Sequence, residues 1–238
     1  METELRLPAA RIRRSYGYGW QQMKKYFLYL FLVILILAVA DIPAGMANVD
    51  LEEGFRPEPS AVFFQIIGFI YWLVLLPVFQ YGGSYLFLKA ARNESFEIKE
   101  MFKGFDNYLN VILAHLLVSA IIGLGIVMLI VPGIIAACRL AFVPYLVIDR
   151  DMEPIAAVEK SWQMTKGHGW RIFGMGLLAI PVFFLGLLMV IVGAIFSVMW
   201  ICTAFASFYY AVELKEQEGL ERIEVPNEGN EEDDSASV

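Results

Sequence analysis

The sequence is poor in the residues from which soluble enzymes build their sites. Its 238 residues hold two histidines and two cysteines. No HExxH, GxSxG or Walker A run is present, and each of these chemistries needs its residues at that fixed spacing. Gly17-Tyr18-Gly19 and Gly167-His168-Gly169 are too short and wrongly placed to cradle a nucleotide. Cys138 and Cys202 fall inside apolar segments with no CxxC or Cys/His spacing, which predicts buried free thiols rather than a metal site or structural disulfide. The expectation is a protein that is not an enzyme, with no catalytic residue, cofactor or metal.

Charge is missing too, from long stretches of chain. The composition is 58% hydrophobic, the mean hydropathy is +0.60, and the charges lie in blocks. A soluble domain interleaves charged and apolar residues, whereas a membrane span excludes charge for about 20 residues. Six spans are expected: Tyr26–Ala40, Ala61–Ala90, Leu109–Val131, Gly133–Ile148, Trp170–Ile191 and Ala194–Val212. The second is long enough to kink at Pro77 and the Gly82-Gly83 pair, and tight turns are expected at Pro132-Gly133 and at Gly193. Because Gly133–Ile148 is short, one pair could instead form a single re-entrant element. The fold class is thus all-α, a polytopic membrane bundle of about six helices.

The spans read as a unit used three times. Each unit has an amphipathic stretch with an aromatic and a Lys or Arg, then two apolar segments. Glu97–Val147 and Ala157–Val212 align best, with Tyr108 against Trp170 and Met128–Pro132 against Met189–Gly193.

Lys and Arg predict the orientation. Arg6, Arg11, Arg13, Arg14, Lys24 and Lys25 precede the first span. Lys89, Arg92, Lys99 and Lys103 follow the second, and Arg150, Lys160, Lys166 and Arg171 follow the fourth. The Asp41–Ser60 loop has only Arg56 among its acids, and the tight turns have no charge. By the positive-inside rule both termini are cytoplasmic, and the three hairpins are parallel rather than inverted. Residues 1–25 form a basic cytoplasmic segment, 26–212 the membrane domain and 213–238 an acidic tail expected to be disordered. From Glu213 onward that tail has ten acidic residues against Lys215 and Arg222, and it outweighs the formal net charge of −7. No small-x-small site follows a short apolar core, so an uncleaved first span is expected.

The polar block between the fourth and fifth spans is the most informative segment. Pro154 suits a first helical turn. Ile155, Val158, Trp162 and Thr165 share one helical face, with Glu159, Lys160 and Gln163 on the other. That pattern predicts an interfacial helix with Trp162 at headgroup depth and its lysines near lipid phosphates. It either connects and orients two spans or holds a lipid headgroup or a partner.

Three pieces of this region share a family pattern. They are Pro132-Gly133-Ile134-Ile135-Ala136-Ala137-Cys138-Arg139, Pro144-Tyr145-Leu146-Val147-Ile148-Asp149, and the run from Ala156 to His168. Together they resemble a group of uncharacterised bacterial multi-span proteins related to the membrane domain of glycerophosphodiester phosphodiesterases. The resemblance is most specific over residues 131–173. In members that carry an enzyme, catalysis belongs to a separate soluble barrel, so the resemblance implies a stand-alone membrane domain of the bacterial inner membrane and no phosphodiesterase activity.

Two ionisable residues fall within spans. Arg139 has no intramembrane carboxylate to neutralise it, so it binds freed carbonyls, hydroxyls such as Ser119 or Tyr85, or an anionic ligand. His115 reads as a helix–helix hydrogen bonder. Glycines at 123, 125, 174, 176, 186 and 193 offer flat packing surfaces without a GxxxG pair, and the aromatics at either end read as interfacial belts. The candidate lipid or anion contacts are Arg139, Lys160, Trp162, Lys166 and His168, with His115 as an intramembrane polar contact. The expected partners are membrane lipids, with a protein partner or homo-oligomer also possible, and no nucleic acid. The functional expectation is a non-enzymatic protein that binds lipid or a partner. The alternatives are a small transporter or channel with Arg139 as its selectivity charge, or an accessory subunit of a membrane enzyme.

Overall fold

The computed structural model describes residues 10–43, 59–188 and 190–224, and all structural statements concern these. Their regular structure is helical throughout. In chain order the helices are α1 (Ile12–Lys25), α2 (Phe27–Asp41), α3 (Pro59–Val74), α4 (Leu76–Arg92), a 3₁₀ segment (Ile98–Phe105), α5 (Tyr108–Met128), α6 (Ile130–Arg139), α7 (Val143–Asp149), α8 (Pro154–Met164), α9 (Gly169–Leu188) and α10 (Val190–Glu224).

Five segments are long and apolar enough to cross a bilayer: Val62–Arg92, Tyr108–Met128, Ile130–Asp149, Gly169–Leu188 and Gly193–Gly219. A sixth is counted when α1 and α2, bent 95° apart, are taken together. Alone, α2 has 15 residues, about 22 Å of helix against roughly 30 Å of hydrocarbon. The chain is a multi-pass helical membrane protein.

Several expected boundaries move, each for a local reason. The turn between the third and fourth spans is Leu129, extended at φ −166° and ψ 143°, and not Pro132-Gly133. Pro132 sits in the first turn of α6, where a missing N–H costs nothing. Gly193 likewise lies inside α10, where its carbonyl accepts the Ser197 hydroxyl at 2.9 Å. The fourth span is two helices, because α6 stops at Arg139 and α7 starts at Val143. The second span breaks at Leu75, just ahead of Pro77. Gly82-Gly83 serves packing instead of the kink: a Cβ on Gly82 would strike the Met101 carbonyl, and one on Gly83 would sit 2.9 Å from Leu37 Cδ1. Finally, α10 does not end at Val212. It runs on to Glu224, so the first part of the acidic segment is helix.

The core is built on α4 and α10. Leu86, Leu88, Ala90 and Ala91 of α4, and Ala204, Ala206, Phe208 and Tyr209 of α10, are fully buried. By contrast α5 and α9 leave Leu109, Leu124, Val127, Leu185 and Leu188 exposed. Apolar flanks of this extent need a lipid solvent.

Helix α1 is a strap across this bundle. Its apolar stripe, Tyr16, Gly19 and Met23, faces inward. Gly19 lies so close to Ala204 that a Cβ would come within 2.9 Å of its backbone. The Tyr16 hydroxyl donates to the Met175 carbonyl at 3.0 Å, and Trp200 Nε1 donates to the Tyr16 carbonyl at 2.9 Å. Arg13, Arg14, Gln21, Lys24 and Lys25 remain on the exposed face. The 3₁₀ segment is held to α4 by Lys89 and Glu100. Burial works against the Glu100 carboxylate, yet Lys89, the Glu97 N–H and Lys99 together hold it below the usual range.

Candidate site: a cleft beside Arg139

The site begins with the break in the fourth span. A helix that stops leaves its last carbonyls without intrahelical donors. Pro144, in the first turn of α7, also has no N–H to offer the preceding turn. Helix α8 repairs the gap. The Ser161 hydroxyl donates to the Arg139 carbonyl at 2.7 Å and accepts the Phe142 N–H at 3.3 Å, so one side chain stitches both edges. The Thr165 hydroxyl lies 2.8 Å from the Ser161 carbonyl and 3.3 Å from that of Arg139.

This role explains which face of α8 is buried. Ile155, Val158, Trp162 and Thr165 were expected to act together as one face of an interfacial helix, with Trp162 at headgroup depth. Ala157, Ser161, Met164 and Thr165 are buried, while Ile155 and Trp162 are exposed at 68% and 44%. Small and hydroxyl side chains let α8 reach the broken backbone, and Ile155 and Trp162 are left on the outside.

The Arg139 side chain lies over the Trp162 ring, 5.6 Å from its centroid. Its Nη1 is buried and has no hydrogen-bond partner among the described residues. Neither Ser119 nor Tyr85 serves it; the Tyr85 ring is flanked by the ammonium groups of Lys89 and Lys103, at 5.4 and 4.8 Å. Beside Arg139 opens a cleft of about 490 Å³, walled by Val131, Ile134, Ile135 and Cys138 of α6 and by Gly167, Gly169, Trp170 and Phe173. Gly167 adopts φ +79°, a conformation that suits glycine, and it turns the chain directly into α9. The first residues of that 20-residue helix thus line the cleft, which places the positive end of the helix dipole beside it.

Among the remaining candidates, Lys160 forms an ion pair with Glu216 of α10. Lys166 is exposed on the turn that carries Gly167. His168 packs edge-on to Phe208 at 6.2 Å, with Nδ1 3.3 Å from the Lys166 carbonyl. Burial holds its ring below the ordinary histidine value; Arg171 and Lys215 add to this, and the Lys166 carbonyl opposes it. His115 is not at this cleft. It stands between Trp72 and Tyr81, 6.3 and 6.4 Å away, where α3, α4 and α5 meet. No group of three metal-ligating side chains occurs among the described residues.

The sequence reading missed an ionic knot. Arg92 at the end of α4 makes two bonds of 2.7 Å to the Asp149 carboxylate at the end of α7. Its Nη2 also donates to Glu213 of α10 at 2.7 and 2.8 Å, and Arg150 reaches Glu213 at 3.0 Å. Arg92 had been counted only for orientation and Glu213 only as tail. The usable signal was position, since each charge directly follows an apolar run.

The profile of a family described as "Protein of unknown function (DUF975)" matches residues 121–216. The match includes Arg139, all of α8 and Glu213. No curated protein and no solved structure matches the chain.

Proposed function

We propose that the protein is a non-enzymatic component of the bacterial inner membrane, with both termini cytoplasmic, that binds an anionic phospholipid at the Arg139 cleft. The observation that carries this reading is the buried, unpartnered Nη1 of Arg139, a residue that lines an apolar cleft. A guanidinium in a span is costly, roughly 2.5–3.5 kcal/mol on insertion scales, and a counter-charge relieves that cost. No ion pair to Arg139 occurs among the described residues, and a bound anion is the counter-charge this reading supplies. A phosphate diester fits the planar donor set of arginine, and the positive end of α9 lies at the facing wall. Ile135, Ile134 and Val131 continue from Arg139 along α6. That is about 12 Å of apolar wall, enough for the upper part of an acyl chain. The kinship with the membrane domain of glycerophosphodiester phosphodiesterases and the threefold internal repeat are parts of the same proposal.

Native mass spectrometry of the gently solubilised protein, titrated with phosphatidylglycerol, phosphatidylcholine or inorganic phosphate, tests the reading. One phosphatidylglycerol retained by the wild type and lost in Arg139→Leu, with unchanged melting, supports it. Full retention in a stably folded Arg139→Leu overturns it. Binding of inorganic phosphate as strong as that of lipid would instead favour a solute site, and Arg139-dependent flux in liposomes would establish transport.

A further inference from the structure

A second cleft, distant in sequence from Arg139, combines similar features. It also measures about 490 Å³ and lies between α9 and α10, walled by Val182, Leu185, Phe196 and Trp200 and roofed by Trp20 of the α1 strap. Its aromatic wall is fixed. Trp20 stands 5.0 Å from the Trp200 ring and 6.0 Å from Phe196, and the Trp200 N–H is already committed to the Tyr16 carbonyl. The one hydroxyl in the lining, on Ser197, donates to the Gly193 carbonyl. Both of these polar groups are therefore committed to backbone carbonyls. At Gly186 the two helices approach closely, and a Cβ there would collide with Ser197 and Gly193. The Lys24 ammonium lies over the Trp20 ring, 5.4 Å from its centroid. Lys24 is exposed and has no ion pair among the described residues. From Gly193 to Trp200 the groove runs about 10 Å.

We infer that this groove holds one acyl chain of a second anionic lipid, whose headgroup pairs with Lys24. An apolar interior accepts hydrocarbon and rejects a headgroup. The Lys24 cation beside Trp20 selects acidic lipid over zwitterionic. This site does not depend on Arg139, because it shares no wall residue with the first cleft.

The experiment counts lipids on the full-length protein by native mass spectrometry, with phosphatidylglycerol, phosphatidylcholine and chain-free glycerophosphoglycerol as probes. The wild type is expected to retain two phosphatidylglycerols, and chain-free glycerophosphoglycerol is expected not to bind this groove. Lys24→Gln is expected to weaken one of the two by about fivefold. Leu185→Trp, at a residue 63% exposed, is expected to block the same one by filling the groove, while the Arg139-dependent lipid stays. Val182→Phe fills the groove from the same helix one turn earlier and guards against a folding defect in Leu185→Trp. Two lipids of unchanged affinity in both filling variants would falsify the inference, as would equal binding of phosphatidylcholine at the second site. Loss of the Arg139-dependent lipid alone would count against the first proposal and leave this one standing.

Discussion

The hairpins α5–α6 and α9–α10 start alike and finish differently. Both close on glycine: a Cβ on Gly125 would lie 2.9 Å from Gly133 Cα, and one on Gly186 would strike Gly193 and Ser197. Both then send an apolar helix back. The first return limb stops at Arg139, its tenth residue, whereas the second passes Trp200, its eleventh, and continues for 35 residues in all. The break frees backbone groups that α8 must satisfy, and it places a guanidinium beside a cleft. The unbroken limb has an indole at the comparable place, and its cleft carries charge only at the rim, on Lys24. Continuity of the return limb thus sets how deep a charge sits.

The largest expected effect comes from removing what the two limbs share. Asp149 ends one and Glu213 lies on the other, and both rest on Arg92. Arg92→Leu leaves both carboxylates buried, Glu213 keeping only Arg150, and is expected to cost about 3 kcal/mol. Denaturant titration in detergent would measure it, and a loss under about 1 kcal/mol would mean that the limbs are held without the knot. A smaller effect separates the hairpins. Ser161→Ala removes the stitch at the break only, and about 1 kcal/mol is expected. Hydrogen exchange should rise at Phe142 and leave α10 unchanged; equal loosening of α10 would show that the break is not locally held. The smallest effect is pH dependence at His168, beside Phe208 of α10. Its folded value is depressed below the ordinary 6.5, so the unfolded chain takes up the proton first. The stability it contributes is complete above about pH 6.5 and is lost as pH falls toward the folded value. His168→Gln should flatten the melting profile over that window, and an unaltered slope would remove His168 as its source.

Much of the fold was legible because hydropathy records solvent. Long charge-free runs have one stable form in lipid, so the helical class and nearly every span could be read directly. Turns and breaks were harder to read. Pro132-Gly133 looks like a turn, yet proline is as comfortable in the first turn of a helix. The break after Arg139 depends on whether another helix can supply hydroxyls, and Ser161 lies 22 residues away. The site was half legible. An arginine without an intramembrane carboxylate pointed to Arg139, and a Trp in a polar block pointed to Trp162. The pairing of Lys160 with Glu216 and of Arg92 with Glu213 was hidden, because both acids lie in what reads as a solvated tail.

The Arg92 knot also bears on how the protein is made. Arg92 is synthesised 121 residues before Glu213, and Asp149 arrives in between. A nascent chain that has inserted α4 carries an unmatched cation at the end of its first return limb. Asp149 supplies one counter-charge when α7 arrives, and Glu213 the other only with the last helix. The early spans therefore wait in the bilayer with an open electrostatic valence, and insertion of α10 is the event that locks their arrangement.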